Sequence, residues 1–188
     1  MSKFFAIAAA AAITVFAGSA QAAQTCGAET HSRFGETRAR FGAVLAACRP
    51  GGYCSVVSTI ASEDGAAYAQ QFRIARPRPG ADHQVELTAV EPLPNRSARG
   101  MSLTFLGQRM NLQRIARLTG NSANVFRITD GIAAKSIVSN ARRQSVVRWT
   151  YASSSGATDA YFSMIGVNRA LNWIDCMGER RARSTARG

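Results

Sequence analysis

Apolar residues recur along this chain with two different periods. Phe72 and Ile74 alternate with Gln71 and Arg73. Val85, Leu87 and Ala89 alternate within 83–90, and Met101, Leu103 and Phe105 within 101–105. Alternation of this kind predicts half-buried strands over 66–75, 83–90 and 101–105. Pro77, Pro79 and Gly80 end the first, and Pro92 and Pro94 the second. Gly107-Gln108 reads as a two-residue hairpin loop, Gly first, leading into Arg109–Leu112. Phe126 and Ile128 mark another short strand. Residues 146–151 and 160–164 read as two more, joined by the Ser153–Gly156 loop. The second period is helical. Ala134, Ile137, Val138 and Ala141 share one helix face, as do Val167, Ala170, Leu171 and Ile174. The predicted fold class is mainly β, a β-sandwich or barrel-like body, with two short helices in the C-terminal half.

The first residues follow a different logic. Lys3 precedes an apolar stretch from Phe4 to Ala17, and Ala20-Gln21-Ala22 has the small-x-small form that signal peptidase accepts. Residues 1–22 are therefore expected to be a signal peptide. Residues 23–178 are expected to form a single β-rich domain, and 179–188 a disordered, Arg-rich tail. Ala23-Gln24-Thr25 before Cys26 lacks a lipobox, so no lipid anchor is expected. No apolar run reaches the roughly 18 residues of a membrane span. The expected location is periplasmic or secreted.

Export makes the four cysteines readable as disulfides. Cys48-Arg-Pro-Gly-Gly-Tyr-Cys54 is a turn between two apolar segments, 41–46 and 55–60. Cys48 and Cys54 then face each other beside the loop, which leaves Cys26 to pair with Cys176. A metal site built from these cysteines with His31 and His83 fails on spacing, since no C-x2-4-C pair exists. No metal and no cofactor are expected. Both histidines are expected at the surface.

The chain has 188 residues and a formal net charge of +12, and all but Lys3 and Lys135 of its 23 basic residues are Arg. Arg binds phosphate and carboxylate bidentately, so the expected partner is anionic. Arg142 and Arg143, with Arg148 on the next strand, form the candidate anion-binding patch. Trp149, Tyr151, Phe162 and Trp173 fall at core positions and leave no exposed aromatic series, which disfavours nucleic acid. Catalytic signals are weak. There is no G-x-S-x-G elbow, P-loop or dinucleotide motif, and the carboxylates are scattered, with Glu86 on an outward strand face and Asp175 on a helix.

Two stretches resemble the exported proteins of the invasion-associated locus B family and related exported domains. One is Val44-Leu-Ala-Ala-Cys48 followed by Cys54-Ser-Val-Val. The other runs from Ile128-Thr-Asp130 through Ile137-Val138, Val146–Tyr151 and Phe162-Ser-Met-Ile-Gly166 to Ala170-Leu-Asn-Trp-Ile-Asp175. The resemblance implies a β-rich exported domain of bacterial type and transfers no active-site residue. The expected function is non-enzymatic binding of an envelope component or protein through an Arg-rich surface. The alternative is a cell-envelope hydrolase or an inhibitor of one.

Overall fold

The computed structural model describes residues 23–61, 68–89, 91, 93, 98–119, 122, 124–154 and 156–185. The expected signal peptide, 1–22, lies outside the described residues. The chain runs β1 (Ala23–Thr25), β2 (Ala28–Arg33), β3 (Glu36–Phe41), β4 (Val44–Cys48), β5 (Cys54–Ala61), β6 (Tyr68–Arg76), β7 (Gln84–Ala89), β8 (Ser102–Phe105), β9 (Gln108–Asn111), β10 (Ala116–Leu118), β11 (Val125–Ile128), α1 (Gly131–Arg143), β12 (Val146–Ser153), β13 (Gly156–Ser163) and α2 (Val167–Thr185).

The strands form two antiparallel sheets. The large one has the order β1-β2-β3-β4-β5-β6-β7-β11-β10, and the small one β13-β12-β8-β9. Neither closes into a barrel. One face of the large sheet is covered by β13, which packs on β5 and β6, by α1 against β7, and by α2 against β3, β4 and β5. Between these layers Ala46, Val56, Phe72, Ile74, Leu87 and Phe126 from the large sheet join Trp149, Phe162, Ile137 and Leu171 in one hydrophobic core. The alternation read from the sequence is thus the division between this core and the sheet's other face.

Both helices bury the predicted stripes: Ala134, Ile137, Val138 and Ala141 on α1, and Val167, Ala170, Leu171 and Ile174 on α2. The Asp130 carboxylate caps α1 by accepting from the Ala133 N–H at 2.8 Å. α2 differs from expectation in length. It has 19 residues and includes 179–185, where a disordered tail was predicted. The Cys26–Cys176 bond fixes its middle, Met177 is buried, and an Arg181 guanidinium reaches the Arg49 carbonyl, so the helix has tertiary support past Asp175.

Two further differences have simple causes. The strands β1, β2 and β3 occupy 23–41, most of which is too polar to show alternation. The β8–β9 loop is Leu106-Gly107, one residue earlier than predicted, because Phe105 pairs with Gln108. Both loop residues are left-handed (φ 41° and 80°), which is the geometry of a tight hairpin but an unfavourable place for Leu.

Candidate anion-binding face

The antiparallel register sorts the large sheet's uncovered face into rows. Partners directly opposite one another point the same way. One row reads Arg40, Leu45, Val57, Arg73, Glu86, Arg127 and Arg117 across seven strands. A second reads His31, Arg38, Ala47, Ser55, Ala75 and Gln84. A third holds Thr59, Gln71, Thr88 and Val125. Arginines separated by 33 and 54 residues in sequence thus lie in one line. A depression of about 340 Å³ runs over this face, lined by Arg38, Arg40, Leu45, Val57, Gln71 and Arg73 among others.

Two glutamates brace the arginines. Glu86 Oε1 accepts from Arg127 Nε at 2.8 Å and sits 2.6 Å from Arg127 Nη2. Arg73 Nη1 lies 3.7 Å from the other oxygen. Glu86 is on the outward face, as predicted, yet only 7% exposed, because its two arginine neighbours cover it. Glu36 is held similarly, with Arg49 Nε at 2.9 Å from Oε1 and Arg38 Nη2 at 2.6 Å from Oε2. The Arg49 hydrogen bond, aided by Arg38 and opposed by partial burial, holds the Glu36 carboxyl below the usual carboxylate range. Each glutamate is shared by two arginines, so the face keeps a positive surplus. Arg40 has no ion-pair partner among the described residues. At the β2–β3 turn the Arg33 and Arg38 guanidiniums lie 4.8 and 5.5 Å from the ring of exposed Phe34, extending the cationic surface around an aromatic tip.

The three arginines of the predicted patch each have local partners. Arg142 donates to Asn168 and Asn172 on α2 and lies 3.8 Å from Asp175. Arg143 donates to Asn140 on its own helix. Arg148 faces Asp159 across the β12–β13 pair at 3.6 Å. These three serve separate local partners and share none. The face on β3, β6, β10 and β11 was missed because it depends on strand register. A signal was present in part, in the Arg residues at outward positions of 38–40 and 71–73.

His83 departs from expectation. Predicted at the surface, its side chain is 14% exposed, packed between Arg76 and Asp175. Arg76 Nη2 lies 2.8 Å from Asp175 Oδ1 and 3.2 Å from His83 Nε2. If Arg76 donates to Nε2, the ring must be neutral. Burial first, and then the Arg76 charge, lower the His83 pKa from its usual 6.5. The unfolded chain therefore binds the proton more readily, and stability contributed by neutral His83 is full above about pH 6.5 and declines as the pH falls below it. Urea titrations at about pH 8 and about pH 5 should show this loss, and His83→Gln should reduce the difference. Equal pH dependence in the two proteins would contradict it. His31, by contrast, is exposed, as predicted.

Both expected disulfides are present, Cys26–Cys176 and Cys48–Cys54. Cys48 and Cys54 are direct cross-strand partners at the β4–β5 turn. Among the described residues no helix is long and apolar enough to cross a membrane.

No family model matches the chain, and no curated protein matches it. Among solved structures, the crystal structure of invasion associated protein B from Bartonella henselae is similar, with a TM-score of 0.55 and 12% identity over 76% of this chain and 98% of that one. At this identity the likeness is one of fold. Together with the two disulfides, it is compatible with an extracytoplasmic protein.

Proposed function

We propose that the protein is an exported, non-enzymatic binding protein of the bacterial envelope, of the invasion-associated locus B kind, periplasmic or secreted. Its partner is an anionic envelope component or protein bearing phosphate or carboxylate groups. The partner lies on the open face of the large sheet, and the observation that carries this reading is the cross-strand row Arg40–Arg73–Arg127–Arg117. Arg73 and Arg127 are prepositioned by Glu86, which reduces the side-chain ordering that binding costs. Leu45 and Val57, between Arg40 and Arg73 in the row, offer apolar contact. The non-enzymatic reading is supported by the state of the residues a hydrolase would use. Glu86 has both oxygens engaged by arginines, and His83 is packed against Arg76.

The test uses two soluble probes, inorganic polyphosphate and poly-L-glutamate. Binding of at least one is expected, with log K falling linearly against log salt at a slope of about −3 if some four or five arginines engage. Affinity indifferent to ionic strength, or no binding of either probe at low salt, would overturn the proposal.

A further inference from the structure

The large sheet splits at one edge. β2 pairs with β3 only where 31–33 meet 36–38. Before His31, β2 leaves its neighbour, and 28–30 pair with β1 alone. The β1–β2 hairpin is drawn toward α2 by the Cys26–Cys176 bond and by Trp173 Nε1–H, which donates to the Thr25 carbonyl at 2.9 Å. The parting leaves a recess of about 740 Å³. Its walls are the hairpin on one side and Arg40 and Phe41 on the other, with Arg169, Asn172 and Trp173 of α2 also lining it.

Two cations, Arg40 and Arg169, line it. The Arg169 guanidinium lies 5.6 Å from the Phe41 ring centroid, a position that holds its plane and leaves its N–H edge available. Neither Arg169 nor Arg40 has a carboxylate partner among the described residues. Asn172 already accepts from Arg142 through Oδ1, so its amide N–H groups remain as donors. The lining also includes His31 and one carboxylate, Glu29. A single oxyanion between the two guanidiniums answers this donor set.

We propose that this recess is a small-ligand site for a terminal oxyanion, a carboxylate or a phosphate monoester, held by Arg40 and Arg169 with the Asn172 amide. Arg40 belongs to both the recess and the open face. The two loci nonetheless fail separately, because the face is read by polyanion binding and the recess by a small probe. The long disulfide shapes the site by holding one wall against α2.

The test is an NMR titration of the full-length mature protein with inorganic phosphate and with acetate, each matched in ionic strength with chloride. The Trp173 indole N–H, whose ring lines the recess, is the reporter. Its resonance should shift saturably with a Kd on the order of 1 mM for phosphate, acetate or both. A response to phosphate alone assigns a phosphate monoester, and to acetate alone a carboxylate. Arg169→Gln should weaken binding at least about fivefold, Glu29→Gln should strengthen it, and Arg148→Gln on the other sheet should leave it unchanged. An indole signal that chloride moves equally, or unweakened binding by Arg169→Gln, would overturn the site. Loss of polyphosphate binding with this titration intact would remove the open face and keep the recess.

Discussion

Replacing Cys176 by Ser is expected to lower the stability of the folded protein by about 5 kcal/mol, the largest effect of any single side chain considered. The bond closes a sequence separation of 150 residues, and in the chain-entropy account a loop of that length removes about 5 kcal/mol of freedom from the unfolded chain. The other bond closes a separation of only six, for which the same account gives about 2 kcal/mol. Cys48→Ser should therefore cost less than half as much, although the Cys48–Cys54 bond lies in the core and the Cys26–Cys176 bond is only half-buried. Loss of the long bond also unpins the β1–β2 hairpin, since the remaining tie from Trp173 to the Thr25 carbonyl is one hydrogen bond. The check is urea unfolding of the two single variants beside the parent under oxidising conditions. Equal losses, or no loss on reduction of the parent, would contradict the account.

Gly166→Ala is expected to cost about 3 kcal/mol or more. Gly166 has φ of +92°, and a Cβ there would stand 2.0 Å from the Phe41 carbonyl oxygen. The obstacle is backbone, at the place where the β13–α2 turn meets the β3–β4 turn and the Ala43 N–H donates to the Ile165 carbonyl at 3.1 Å. Neither turn can yield without moving α2 or β3. Gly80→Ala is the control. It shares the left-handed backbone (φ +74°) but has nothing within 4 Å of the added carbon, so it should cost only about 1 kcal/mol. Thermal unfolding of the two variants separates crowding from conformation, and equal shifts would show that the contact is unimportant.

Much of the core was legible in the sequence because burial imposes a period. The α1 and α2 stripes and the inward residues of β6, β7 and β8 needed only local spacing. The Cys48–Cys54 pair was readable because a turn places its ends opposite each other. The rest depends on contacts distant in sequence. Residues 28–41 form strands although polar, because they are held by β4 and by the hairpin's tie to α2. His83 is buried by Arg76 and by a helix that begins 84 residues later. Leu106 occupies a left-handed turn position that local preference assigns to Gly or Asn. The cross-strand arginine row is the clearest case. Adjacent arginines in sequence, Arg142 and Arg143, suggested a patch, but each is engaged by a nearby asparagine. The arginines that do align come from four strands, and only the register β3-β4-β5-β6-β7-β11-β10 places them in line.

The most direct measurement compares polyphosphate binding by the parent and by Arg40→Gln/Arg117→Gln over a range of salt. These two arginines end the row and brace neither glutamate, so their loss leaves no carboxylate stranded. The salt slope should become shallower by about one to two, with weaker binding at low salt. An unchanged slope and affinity would contradict the assignment of this sheet face as the surface that meets the anionic partner.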